Sequence, residues 1–158
     1  MRSPGEKINF LKAEFVPLLR QISSDTLPAF GKMSLQQMVE HFSDAIKIAS
    51  GKIAITQLFT PEEQLPKMKE FLLSDKPFRE NTPNPLMPEA PGPVRNKSLE
   101  AAIAELQASL ASFFAVFDGD SGLKTGNPFF GPLNFDENVQ LLYKHALHHL
   151  RQFGLTVT

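Results

Sequence analysis

The sequence predicts an all-α protein. Five segments carry helical periodicity, most are bounded by capping or breaking residues, and no segment alternates apolar and polar residues over more than a few positions. The 158 residues, 42% hydrophobic and 21% charged, suit a single domain spanning 1–158 with a full core. Sixteen Lys+Arg against seventeen Asp+Glu give a net charge of −1. A nucleic-acid binder led by phosphate contacts needs a basic excess, so no nucleic-acid partner is expected. The absence of cysteine excludes disulfides, thiolate metal sites, Fe–S clusters and a Cys nucleophile. Nucleophilic or metal chemistry must then use His, carboxylates or hydroxyls. Met1 to Phe10 holds no apolar signal segment, and no uninterrupted run of about 18 apolar residues occurs. A cytoplasmic chain without a membrane partner is the expectation.

The first helical segment aligns Ile8, Leu11, Phe15, Leu18, Leu19 and Ile22, and Ser3-Pro4-Gly5-Glu6 before it has the form of a capping box. Pro17 interrupts the stripe, which predicts a kink or a late start. The second opens at Ser34-Leu35-Gln36-Gln37, another capping box. It aligns Leu35, Met38, Val39, Phe42, Ala45, Ile46 and Ala49 before Gly51 stops it. A shorter third helix is expected after Thr60-Pro61-Glu62-Glu63, with Thr60 as N-cap and Pro61 in the first turn, fading near Ser74.

From Lys76 to Arg95 six prolines, Pro77, Pro83, Pro85, Pro88, Pro91 and Pro93, forbid a helix interior or a central strand, so this is a long crossover. The fourth helix, about Lys97 to Phe117, repeats Leu99, Ile103, Leu106, Leu110, Phe113 and Phe117 and ends at Asp118-Gly119-Asp120-Ser121-Gly122. A loop, Asn127-Pro128-Phe129-Phe130-Gly131-Pro132-Leu133, leads to Asn134, which can cap a last helix with Glu137 three residues on. Four long helices, one short one and a long connection predict a four-helix bundle with a crossover.

Three of the four histidines, His145, His148 and His149, fall within five residues of the last helix. His145 and His149 are about 40° apart around the axis and one turn apart along it, so both rings can reach one ion. His148 is rotated about 60° to the other side of His145 and tilts outward, while Lys144 and Arg151 mark the side expected to be solvated. An i, i+4 pair needs a third ligand, and the one remaining histidine, His41, sits at the edge of the second helix's apolar stripe. His41, His145 and His149 therefore form a candidate three-His metal site with open positions for water or substrate. The alternative is that the pair consists of polar residues at a helix edge.

Around these ligands, Gln37 and Gln152 can orient an imidazole or a water. Asn138, two turns before His145, can meet a substrate, and Phe129 and Phe130 can wall the pocket. Glu40 and Asp44 flank His41 as candidate bases or a fourth ligand, though solvent-facing carboxylates are the simpler reading. Arg79 and Arg95 in the crossover are candidates for recognising an anion.

The segments Asn127-Pro128-Phe129-Phe130-Gly131-Pro132-Leu133 and Tyr143-Lys144-His145-Ala146-Leu147-His148-His149-Leu150-Arg151-Gln152-Phe153-Gly154 closely resemble the DinB-like (YfiT-like) superfamily, in particular its DUF1569 branch. Gly31-Lys32-Met33-Ser34-Leu35-Gln36-Gln37-Met38-Val39-Glu40-His41 looks like that branch's N-terminal motif. The resemblance implies a bundle of up-down-down-up connection. It also implies a divalent metal, nickel or zinc, held by the residues matching the family ligands, His41, His145 and His149. Phe30 stands where Trp is usual, Asn127 where His often precedes Pro-Phe-Phe-Gly, and Leu147 where Asp is common; these departures bear on substrate and fine tuning.

The function expected from the resemblance is a metal-dependent enzyme: a thiol transferase or isomerase using a low-molecular-weight thiol against an electrophilic small molecule, or a hydrolase. A non-catalytic ligand-binding or stress-associated helical homodimer is the alternative.

Overall fold

The computed structural model describes residues 2–80 and 91–157. It is mostly helical, with one small hairpin. The three capping boxes form as read. Ser3 and Glu6 open α1, Pro4–Asn9; Ser34 and Gln37 open α3, Leu35–Ala49; Asn134 and Glu137 open α6, Phe135–Gln152. Each satisfies otherwise orphaned N–H groups of a first turn through a side-chain oxygen. Between α1 and α2, Phe15–Arg20, the chain makes a π-turn over Phe10–Glu14, where Phe15 N–H donates to the Phe10 carbonyl. The kink expected at Pro17 takes this form. A proline has no N–H for the preceding turn and crowds its carbonyl, and the wider turn just ahead accommodates both defects while Phe10, Leu11 and Phe15 stay buried.

The expected third helix is shorter at its start. Thr60 is not its N-cap: the Thr60 hydroxyl donates to the Phe129 carbonyl at 2.7 Å. A 3₁₀ turn, Glu62–Gln64, precedes α4, Leu65–Leu73, which ends at Ser74. The long α5, Leu99–Gly119, is capped by Ser98. By length and composition it alone among the described helices is apolar enough to cross a membrane, with a mean hydropathy of 1.4. Its stripe of Ala102, Ile103, Leu106, Leu110, Phe113 and Phe117 is buried instead in the main core, which it shares with α1 to α3 and α6. Phe135, at the start of α6, packs on Phe113, Phe114 and Phe117 with ring centroids 5.5–6.1 Å apart.

The hairpin was not expected. β1, Thr125–Asn127, and β2, Gly131–Leu133, pair antiparallel, with Thr125 opposite Leu133. Strands of three residues containing glycine and proline carry no readable alternation. Asn127 Oδ1 accepts from the N–H groups of Phe129 and Phe130 and shapes the turn, an Asx arrangement. Leu133 and Phe130 of the hairpin build a second, smaller apolar cluster with Leu72 of α4.

Part of the crossover, residues 81–90 with Pro83, Pro85 and Pro88, lies outside the described residues. Its described ends carry no regular structure. The far end is pinned by Glu40, which is buried rather than solvated. Its carboxylate accepts from Arg95 N–H at 2.8 Å, from Asn96 N–H and Nδ2 at 3.0 and 3.1 Å, and from Gln36 Nε2 at 3.2 Å. Burial opposes ionisation, but the donated hydrogen bonds outweigh it and draw the carboxyl below its ordinary range. Arg95 is equally committed, to Asp44 and Glu105, each at 3.0 Å. Replacing Glu40 by Ala removes the acceptor of two part-buried backbone donors and of the Asn96 and Gln36 amides. The expected loss is about 2–3 kcal/mol of stability, read as a lower denaturation midpoint in urea; an unchanged midpoint would show that the crossover anchor is dispensable.

Candidate metal centre

Two helices supply the site. On α3 the run Met38, Val39 and Phe42 is buried, and His41 lies at the margin of that face. On α6 the buried stripe Leu142, Ala146 and Leu150 places His145 and His149 along one edge, with His149 itself only 4% exposed. Where the helices meet, the three Nε2 atoms converge. His41 Nε2 lies 3.2 Å from His145 Nε2, which lies 2.8 Å from His149 Nε2. All three ligand atoms fall within 4.8 Å of one another. Metal–nitrogen bonds of about 2.0–2.1 Å at angles of 90–110° separate ligand nitrogens by about 2.9–3.4 Å; the 3.2 Å separation lies in that range and the 2.8 Å one just below it.

The hydrogen bonds around His149 decide its tautomer. Gln152 Nε2 donates to the Phe30 carbonyl at 3.1 Å, which turns the amide oxygen toward His149 Nδ1, 2.8 Å away. Nδ1 must therefore carry the hydrogen, and Nε2 presents a lone pair. His145 Nε2 faces two ring nitrogens at once and has at most one hydrogen. If it is protonated, that hydrogen is shared between two acceptors; if not, two lone pairs oppose each other at 2.8 Å. A cation among the three nitrogens satisfies every contact, which a hydrogen-bonded imidazole cluster does not.

The loop behind Gln152 is built for this contact. Ala29 N–H donates to the Gln152 carbonyl at 2.7 Å. Gly31 has φ +74°, and a Cβ there would meet Gln152 Nε2 at 2.9 Å. Glycine alone satisfies both the backbone conformation and the clearance.

Burial, the largest cause for each ring, holds all three imidazoles below their ordinary value. His41 is pushed down to about 4 against the opposing pull of Asp44, and His145 and His149 fall well below 6.5. All three are neutral near pH 7, the state a ligand requires. Phe42 backs the cluster at 5.0 Å from His145 and 6.3 Å from His149, and Phe78 flanks His145 at 6.4 Å. These aromatic neighbours were not anticipated from the sequence. Phe42 reads there as an ordinary core residue and Phe78 as part of a proline-rich connection.

Of the accompanying candidates, only Gln152 is seen to reach one of the three imidazoles. Gln37 spends its oxygen on the Ser34 N–H and its nitrogen on the Gly92 carbonyl. Asn138, 1% exposed, donates to Thr125 Oγ1 and the Leu133 carbonyl, and Thr125 in turn donates to the Ala49 carbonyl. That chain fastens the hairpin between α3 and α6, leaving no amide for a substrate. Phe129 packs on Phe59, and Phe130 belongs to the smaller cluster with Leu72. Asp44 and Arg95 are held by each other, and Arg79 is itself engaged. Lys144, expected on the solvated side, is buried. Its ammonium donates to the Phe71, Leu72 and Ser74 carbonyls and caps the end of α4, and burial lowers its pKa to about 8.

No family model matches the chain, and neither a curated protein nor a solved structure resembles it significantly.

Replacing Gln152 by Ala is expected to weaken zinc or nickel binding about 10- to 100-fold, measured by chelator competition. Because the apo imidazoles are already neutral, affinity is expected to change less than about threefold between pH 8 and 6, where three exposed imidazoles of ordinary pKa would lose about 70-fold. Stability runs the other way. The unfolded chain protonates first as pH falls through about 6.5, so the stability contributed by neutral imidazoles is present above that pH and lost below it. A metal-free denaturation midpoint that rises on acidification from pH 7 to 5 would contradict the burial of these rings.

Proposed function

We propose that this chain is a metal-dependent enzyme of the DinB-like type. In this reading it is a four-helix bundle with up-down-down-up connection, holding zinc or nickel on His41, His145 and His149 and acting on a small molecule. The observation that carries the reading is the convergence of three neutral imidazole nitrogens around a hydrogen-bond arrangement that lacks one hydrogen. Imidazole donors suit zinc, nickel, copper and iron, and the cysteine-free composition removes thiolate alternatives.

When bound, the ion supplies Lewis-acid activation at its remaining coordination positions. The chain's own residues do the rest. Gln152, held by Phe30, keeps the His149 ring in the ligating tautomer. Phe42 closes the core side to water. Three neutral ligands leave the charge of a dication uncompensated, so an anionic reactant is favoured at the open side, and a thiolate is such a reactant. Thiol transfer from a low-molecular-weight thiol to an electrophilic carbon is thus the reaction class preferred, with hydrolysis as its variant. The residues that fit a substrate are the half-exposed rings Phe30 and Phe78 beside the cluster.

The test is metal content of freshly purified protein and turnover with a panel of thiols and electrophiles. One equivalent of zinc or nickel is expected, stabilising the fold by several degrees. His145→Ala and His149→Ala are each expected to abolish that stabilisation and any turnover. Protein that neither carries nor takes up a divalent ion would overturn the proposal; an ion bound without turnover would leave a binding module.

A further inference from the structure

The metal cluster gives no role to His148 or Arg151 on the same helix. Steps of three residues along α6 turn about 60° and climb about 4.5 Å, so His145, His148 and Arg151 form a ridge leading away from the ligands. His148 Nδ1 is buried and finds no hydrogen-bond partner among the described residues, a state that native structures seldom leave unexplained. Its ring lies 5.2 Å from Phe30, 6.5 Å from Phe78 and 5.1 Å from His149. Phe30, Phe78 and His148 are all only partly buried, so this flank of the site is open to solvent.

Arg151 stands at the far end of the ridge, partly buried. Arg2, Arg20 and Arg95 each pair with a carboxylate. The Arg151 guanidinium makes no hydrogen bond or ion pair among the described residues. On α6 Arg151 lies one three-residue step beyond His148. A guanidinium with no counter-ion among the described residues is suited to bidentate recognition of a carboxylate. The phenyl rings suit a flat conjugated body. The orphaned imidazole nitrogen suits a polar group on that body.

Resting on the metal-centre reading above, we propose that this ridge is the substrate seat and that the substrate class is a small, flat, conjugated carboxylate. Its reacting end lies at the three-imidazole cluster, its body between Phe30 and Phe78, and its carboxylate on Arg151.

The experiment uses the full chain loaded with Co²⁺, whose visible absorption reports both ion binding and chelation at the open positions. The probes are acetohydroxamate, benzohydroxamate, and 3- and 4-carboxybenzohydroxamate. Benzohydroxamate is expected to bind more tightly than acetohydroxamate, and at least one carboxylated probe about tenfold more tightly than benzohydroxamate. Arg151→Gln is expected to reduce that gain to less than about twofold, with Arg151→Lys retaining part of it. Phe78→Ala is expected to remove the preference for the aromatic probe. Cobalt that binds and is chelated with no carboxylate gain, or with a gain that survives Arg151→Gln, overturns the anion seat while the metal reading stands. Failure to bind cobalt overturns both.

Discussion

The hydrogen bond between His149 and Gln152 is the constraint on which the candidate centre depends. An imidazole offers a lone pair at Nε2 only when its hydrogen resides on Nδ1, and a terminal amide enforces this only when its own orientation is fixed. The Phe30 carbonyl fixes it, and Gly31 leaves room for the contact. A loop more than a hundred residues away in sequence thereby determines the electronic state of a ring on the last helix.

The same economy appears in how charge is handled. The carboxylates nearest His41 are spent on architecture: Glu40 gathers the end of the crossover and Asp44 pairs with Arg95. Lys144, the neighbour of His145, is spent on the carbonyls that end α4. The three imidazoles are left uncharged, with the Phe42 ring and the aliphatic core behind them. Burial that would be costly for three imidazolium ions costs little for three neutral rings. The fold thus favours the neutral state in which the three imidazoles could hold an ion.

Much of this was legible in residue order because the signals were local and redundant. Three capping boxes, two glycine-rich stops and the stripes of α3, α5 and α6 place the long helices, and the i, i+4 spacing with one remaining histidine nominates the three rings. What escaped had non-local causes. Glu40 and Lys144 look like surface charges on a helical wheel, and only the crossover and the end of α4, folded over them, make them interior. Asn138 and Gln37 lie at the right angular positions for a site, but nearer backbone groups claim their amides. The hairpin hides in strands too short to alternate. Phe78 borders the site because of where its connection returns, which no window of sequence encodes.

Gly31 and Gln152 form a pair separated by 120 intervening residues, and the pair leaves an evolutionary signature. Any side chain at position 31 collides with the amide, so a chain that abandoned glycine there would have to shorten or redirect position 152 in the same step. Where the amide is lost first, position 31 keeps only its backbone preference and is free to drift to asparagine. Covariation of these two sites, more than retention of the histidines, would mark descendants in which the ring still holds its ligating form.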